Sequence, residues 1–423
     1  MKPVARSLPD WLHYQEQLHP RSIDLGLERV LEVARRLGLL PLPCRSVIVG
    51  GTNGKGSTAA MIAAIAQAHG VKVGLFTSPH LLRYEERIQV NGQEVNAAQL
   101  VAYFEQIEVA RGELSLTFFE FNTLAALLHF RAADVPLAVL EVGLGGRLDA
   151  TNIVDADVAV LCSIGFDHRD WLGDTLDAIG REKAGIFRAG QPVILSTQDM
   201  PASVSARLHE LGCKSSVAGV DFCCEVRSDG SWDYRDAAGA LSALRAPALA
   251  GAIQYHNAAS ALAAARLALA PQSLDANAIS GALAALRLPG RLQHIAGPVE
   301  WLLDVAHNPA AASVLAAELQ RRPPAGRTFA ILGMLGDKDV MEVAAELDAA
   351  VDQWLLCSLH EPRGLPAEQL RARLGTVRGP CTLHQHVAAA CERARELARA
   401  GDRVLVCGSF HTVGPALQWL GLY

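Results

Sequence analysis

The chain has no excess of positive charge, no C-x-x-C pair and no long apolar run, and each absence excludes a class of function. Its 38 Lys and Arg residues are outnumbered by 44 Asp and Glu, for a formal net charge of -6. There is no basic footprint for a polyanion, so nucleic acid is excluded as the main ligand. Nine cysteines are scattered along the chain, and Cys223 and Cys224 are the one close pair. That spacing suits neither a zinc site nor a redox dithiol and fits a reducing cytoplasm. No apolar stretch reaches the roughly 18 residues that would cross a bilayer, and the segment MKPVARSLPDWLHYQEQLHP has no apolar signal core. A cytoplasmic protein with no membrane partner is expected. Internal repeats and low-complexity tracts are also missing.

Half of the 423 residues are apolar and 19% are charged, which is a globular composition. That length exceeds what one hydrophobic core usually holds, so two domains are expected. Short apolar runs alternate with stretches of helical period, the signature of β-α units and a mainly parallel sheet. In the first part the strands are SVIVG, VKVGLFT, PLAVLEV, DVAVLCSI and PVILS. Between Cys213 and Ala246 the pattern breaks into short alternating pieces, which predicts small antiparallel strands. Helices follow over Asn257 to Ala270 and on to about Leu286. The Pro and Gly punctuation of LRLPGRLQHIAGP then reads as a hinge. Beyond it the alternation restarts with VEWLLDVA, RTFAILGML, QWLLCSL and DRVLVCGSF. The predicted fold is α/β: an N-terminal P-loop domain over 1–289, a hinge at 290–298, and a smaller Rossmann-like domain over 299–423.

Ligands of open parallel sheets collect beyond the carboxyl ends of the strands, so the chemistry is sought there. SVIVGGTNGKGS is a strand, a glycine-rich turn with the single lysine Lys55, and a helix start. Backbone N–H groups and the helix dipole at such a turn favour phosphate, which points to an ATP-type nucleotide. The consensus P-loop would carry glycine where Val49 stands and Ser or Thr where Gly56 stands. FTSPHL offers Ser78 either as an ordinary Ser-Pro turn residue or as a ligand to Mg²⁺ or phosphate. PLAVLEV buries Glu141 at a strand end, where its charge calls for a bound cation or an ion pair to Arg147. Gly143, Gly145 and Gly146 form a tight turn that displays Arg147 and Asp149. GFDHRDWLG brings Asp167 and His168 to a strand end, with His168 either a capping residue or a nitrogen ligand to a second divalent cation. By pattern alone, Lys183 sits in a helix beside Glu182 and reads as a surface lysine in a local ion pair. DVAHNP sets Asp304, His307 and Asn308 after an apolar strand of the second domain. Two such edges across one hinge point to a site in the cleft between the domains.

Together the segments SIDLGLERV, GTNGKGS, SPHL, TFFEFNTLAA, EVGLGGRLDATN, DHRDWLG, REKAGI, LPGRLQ, DVAHNP, GDKD and GSFHTVG resemble the folylpolyglutamate synthase family of Mur-ligase-like ATP-dependent amide ligases. They are most similar to its bacterial bifunctional members, which are also dihydrofolate synthases. The order of segments matches over nearly the whole length, and GTNGKGS is the family's own P-loop form. The resemblance implies that Gly54, Lys55, Gly56 and Ser57 hold the ATP phosphates, with Asn257, Arg291 and Asp304 completing the nucleotide site. It implies Mg²⁺ at two sites, with K⁺ or another monovalent cation as a further occupant. Ser78 and Glu141 match the ligands of one Mg²⁺. His168 and Lys183, the latter as a carbamate, match those of the other. The pterin would lie against Ile23, Asp24 and Leu25, against Thr117, Phe118, Phe119 and Glu120, and against Leu148, Asp149 and Ala150. His307 matches part of the site for incoming glutamate. One departure is Val305, where the family usually has glycine.

The implied reaction adds L-glutamate to dihydropteroate and to tetrahydrofolates through an acyl phosphate, with Lys55, Glu141, His168 and Lys183 as catalytic residues and a monomer as the working form. The alternatives are a ligase of UDP-linked cell-wall precursors, disfavoured by SIDLGLERV and TFFEFNTLAA, and a nucleotide-dependent switch. For the switch, the N-K-x-D guanine-reading motif is lacking.

Overall fold

Parallel strands buried on both faces read as unbroken apolar runs, and the computed structural model shows why these runs do not alternate. It describes residues 6–21 and 23–423; Ser22, the first residue of SIDLGLERV, lies outside them. By packing, the chain divides into two compact units. One comprises the residues up to Ile164 with Asp174–Pro247 and Tyr255–Leu286. The other comprises Gly165–Gly173, Ala248–Gln254 and Arg287–Tyr423.

The first unit is built on β1 (Arg45–Gly50), β2 (Val73–Phe76), β3 (Ile88–Val90), β4 (Gln93–Glu94), β5 (Leu137–Glu141), β6 (Val158–Leu161), β7 (Pro192–Leu195) and β8 (Lys214–Val217). Among the described residues they form one eight-stranded sheet in the order β4-β3-β2-β5-β1-β6-β7-β8. All pairings from β2 to β8 are parallel, and β3 and β4 add an antiparallel edge. β5 therefore lies between β2 and β1, with Glu141 in register with Val49. Phe76, Phe104, Phe121 and Phe130 are fully buried in the core on one side of this sheet, each worth about 1.5–3 kcal/mol of transfer free energy. Gly74 is required in β2 because a Cβ there would lie 2.5 Å from the Phe130 ring.

Part of the expected antiparallel segment is present as β9 (Phe222–Val226), β10 (Trp232–Asp236) and β11 (Gly239–Leu244), whereas β8, at the start of the same stretch, instead extends the main sheet by pairing parallel with β7. Trp232 and Tyr234 are its fully buried anchors, and Tyr255 meets Trp232 edge-on at 6.1 Å.

The second unit holds β12 (Gln293–Ile295), β13 (Glu300–Leu303), β14 (Thr328–Leu332), β15 (Gln353–Cys357), β16 (Cys381–His384) and β17 (Arg403–Cys407), in the order β12-β13-β17-β14-β15-β16. Only the β12 pairing is antiparallel among these strands. Trp354, Leu356, Leu332 and Leu405 fill the core on one face of the sheet. Arg403, 3% exposed by side chain, is neutralised by Glu300, its register partner on β13, at 2.6 Å.

Candidate active site

The phosphate loop is fixed by backbone and neighbours before any ligand enters. Gly51 has φ +138, and a Cβ there would lie 3.0 Å from the backbone nitrogen of Ser163. Gly54 has φ +87 and caps the helix Lys55–Ala68, and its added Cβ would lie 3.0 Å from Asn257 Oδ1. Left-handed backbone and close neighbours together leave room only for glycine. The loop is pinned to the end of β6: Thr52 N–H donates to Ser163 O at 2.7 Å and Asn53 N–H to Ser163 Oγ at 3.0 Å. Lys55 donates from Nζ to Thr52 O at 3.0 Å, and Ser57 is buried in the first helical turn. Thus Gly54, Lys55, Gly56, Ser57 and Asn257 are brought together.

Because β2, β5 and β1 are neighbours, Ser78, Glu141 and the phosphate loop emerge from three adjacent strand ends. Glu141, 4% exposed, accepts the Ser78 backbone N–H at 2.9 Å. The alternative partner Arg147 is bound elsewhere: it forks onto Glu182, with Nη2 to Oε1 at 2.9 Å. The ion pair between Glu141 and Arg147 considered from sequence is therefore overturned. So is the surface reading of Lys183. Its side chain is buried, 5% exposed as a residue, and its Nζ donates to Gly51 O at 2.9 Å. Burial follows from loop packing: Gly146 approaches the chain at Glu182 and Lys183 so closely that a Cβ would lie 2.8 Å from their carbonyl oxygens.

The residues expected around the pterin also converge. Arg29 pairs with Asp24 at 2.6 Å and reaches Glu120 Oε1 at 3.3 Å, joining the Ile23 to Leu25 segment to the start of the helix Phe118–Ala132. Thr117 and Glu120 form the capping box of that helix, with Thr117 N–H on Glu120 Oε2 at 2.7 Å. Burial pushes the Glu120 carboxyl above its ordinary range against the pull of Thr117 and Arg29. Phe118 meets Tyr84 edge-on, and Phe119 packs on Phe76 and over Gly143. Leu148 is half-buried and Ala150 buried. Asp149 Oδ2 accepts from Gly143 N–H and Leu144 N–H of the glycine turn, and its Oδ1 accepts from Thr151 N–H and Thr151 Oγ1 in the short helix that follows, so both oxygens are used within its own loop. Arg29 carried no role in the sequence reading, although it lies inside the SIDLGLERV segment.

In the second unit, Asp304 accepts Leu292 N–H and Ala306 N–H, each at 2.8 Å, and burial raises its carboxyl despite the nearby charge of Arg291. The Arg291 guanidinium stacks over Phe410 at 5.0 Å. Val305 is buried with backbone that is not left-handed, and its N–H donates to Gly290 O at 3.0 Å, so the family's glycine is not needed there. Asp167 and His168 pack within this second unit. His168, at φ +52, caps a short helix, and its ring stands 3.7 Å from Asp337 Oδ2 through Nδ1. Asp167 is bound by Lys338 Nζ at 2.5 Å and Asn308 Nδ2 at 3.1 Å, with His307 Nε2 at 3.6 Å. Burial opposes its charge, but the His307 imidazole beside it and the charges of His168 and Lys338 hold the carboxyl well below the usual carboxylate range. Lys338 also escaped the sequence reading; the signal was the charged triplet of GDKD directly after an apolar strand.

Among the described residues no three His, Cys, Asp or Glu side chains are gathered into a metal cage. Mg²⁺ needs none, since it is commonly held by one or two carboxylates together with phosphate oxygens and water. Glu141 with Ser78, buried beside a phosphate loop, fits that mode.

The chain matches the Mur ligase middle domain over residues 49–222 and the Mur ligase, glutamate ligase domain over residues 290–410. It is 46% identical to the dihydrofolate synthase/folylpolyglutamate synthase of Escherichia coli (strain K12), covering 98% of this chain and 96% of that one. Among solved structures it is similar to Escherichia coli FolC in complex with DHPP and ADP, with a TM-score of 0.93, 46% identity, and coverage of 99% and 98%. It is likewise similar to a bifunctional folylpolyglutamate synthase/dihydrofolate synthase from Yersinia pestis complexed with AMPPNP and a Mn ion, with a TM-score of 0.91, 43% identity, and both chains fully covered.

Proposed function

Because the chain belongs to the dihydrofolate synthase/folylpolyglutamate synthase family of Mur ligases, we propose that it joins L-glutamate to dihydropteroate and to tetrahydrofolates at the cost of ATP, as a monomer in the cytoplasm. The observation that supports this most is the set Lys55, Ser78 and Glu141 at three neighbouring parallel strand ends, with Glu141 buried on the Ser78 N–H.

A carboxylate resists amines because its charge repels them and oxide leaves poorly. Attack of the pteroate or folate carboxylate on the γ-phosphorus of ATP expels ADP and gives an acyl phosphate, which removes both obstacles. The loop N–H groups and Lys55 would hold the phosphate chain and stabilise charge on the transferred group. Asn257, Arg291 and Asp304 would hold the rest of the nucleotide. The amine of glutamate, bound near His307, then attacks the acyl carbon; the tetrahedral intermediate collapses, phosphate leaves, and the amide nitrogen sheds a proton.

The enzyme uses a divalent cation, which when bound supplies positive charge beside the phosphoryl oxygens. Ser78 and Glu141 would hold one. His168 would present an imidazole nitrogen, and Lys183, as its carbamate, an anionic oxygen; the carbamate nitrogen keeps one N–H to donate to Gly51 O. The pterin would sit between Ile23 to Leu25, Thr117 to Glu120 and Leu148 to Ala150.

Phosphate release with glutamate and dihydropteroate tests the reading. Lys55→Ala should lower it by about 100-fold or more while leaving the fold intact. For Lys183, stripping CO₂ should slow the wild type and bicarbonate should restore it, whereas Lys183→Ala should be slow in both conditions. Full activity of Lys183→Ala would remove the carbamate from the account.

A further inference from the structure

Lys338 lies among groups that a cation would otherwise neutralise. Its side chain is 5% exposed, and its Nζ meets Asp167 Oδ1 at 2.5 Å, His168 Nε2 at 3.3 Å and Asp337 Oδ2 at 3.7 Å. Asp337 is shared with Arg363 at 3.4 Å and faces His168 Nδ1 at 3.7 Å, while Asp167 takes Asn308 and faces His307 on its other oxygen. An ammonium has donors only, so the imidazole nitrogen turned toward it must be the acceptor. His168 therefore directs its Nε2 lone pair at Lys338, and its Nδ1, turned to the Asp337 carboxylate, is where the ring proton belongs. One lone pair cannot serve an ammonium and a metal ion together.

We propose that Lys338 is a built-in counter-cation that holds His168 away from metal coordination and must withdraw from Nε2 before His168 can take a divalent cation. This rests on the reading of His168 as a metal ligand. Before loading, the lysine sits against both Asp167 and the partly exposed Asp337 and offsets their charge. On loading, the incoming cation takes over that neutralisation and the ammonium is released. Lys338 is thus a positioning residue that sets when the imidazole becomes available.

The test is Mn²⁺ titration of the whole enzyme with ADP, followed by calorimetry, for wild type, Lys338→Met, Lys338→Arg, His168→Ala and the Lys338→Met/His168→Ala double variant. Lys338→Met should bind Mn²⁺ about tenfold tighter, the scale expected from removing one like charge at contact range. Lys338→Arg should not tighten binding, and the gain should vanish in the double variant. If His168→Ala leaves Mn²⁺ binding unchanged, the assignment of His168 as a ligand fails. If His168→Ala weakens binding but Lys338→Met does not tighten it, the role of Lys338 alone fails. Removing one partner of a buried ion pair can unfold a domain, so the wild type supplies a second readout. Acetylation of Lys338 by acetic anhydride, followed by peptide mass spectrometry, should rise several-fold on adding Mn²⁺ and ADP. Unchanged labelling contradicts the proposal.

Discussion

Asp149 directs both carboxylate oxygens into its own loop, which changes what its substitution should do. Four donors from Gly143, Leu144 and Thr151 lose their acceptor in Asp149→Ala, and unmet buried donors cost about 1–3 kcal/mol each before solvent relieves them. Thermal unfolding should therefore show a loss of about 3 kcal/mol or more, with pterin affinity falling as a consequence. A fall in affinity with an unchanged melting temperature would make Asp149 a direct ligand instead. Glu300 gives the pH-dependent counterpart. Burial disfavours its charge, but Arg403 and then His294 outweigh burial and hold its carboxyl below the ordinary value. A lowered folded pKa stabilises above the unfolded value and is lost as pH falls through the folded one. Glu300→Gln should cost about 1 kcal/mol near neutrality, and the difference from wild type should shrink as pH drops from about 5 toward 3. A penalty that stays constant over that range would contradict the ion-pair account.

The phosphate loop carries its own prediction because two of its glycines answer to different neighbours. Gly54→Ala forces a side chain into left-handed backbone 3.0 Å from Asn257 Oδ1, a strain of about 1–3 kcal/mol. ADP should bind about tenfold more weakly while circular dichroism stays unchanged; unaltered affinity would show that this turn tolerates a Cβ. The elements that frame the loop were legible from sequence for a physical reason. β1, β2, β5 and β6 are covered on both faces and so appear as unbroken apolar runs, with Lys55, Ser78 and Glu141 just beyond or at their ends. The edge strands β4 and β8 were not legible, since Gln93, Glu94, Lys214 and Ser215 are exposed and carry no such run. Lys183 was misread because local spacing offered Glu182 as its partner. Gly146, from a distant part of the chain, packs on the backbone of Glu182 and Lys183, and the buried lysine reaches Gly51 O.

At the scale of the whole chain, packing and linear order diverge. The sequence places a joint at 290–298, yet Gly165–Gly173 and Ala248–Gln254 pack with the second unit. No composition shift marks these excursions; contacts made far along the chain bring them there, such as Ala252 N–H on Glu318 at 3.0 Å and Asp167 on Lys338. A fragment of residues 287–423 would thus lack part of its own unit and leave Lys338 buried without Asp167. It should melt without a cooperative transition, whereas a sharp transition would show that the two segments are dispensable. Ligase activity is tested by ATP-dependent phosphate release with glutamate and each of dihydropteroate, tetrahydrofolate and a UDP-linked peptide precursor. Glutamate-dependent release is expected with the two pterins and none with the UDP-linked acceptor. Release that required the UDP-linked acceptor, with none for either pterin, would contradict the proposed function.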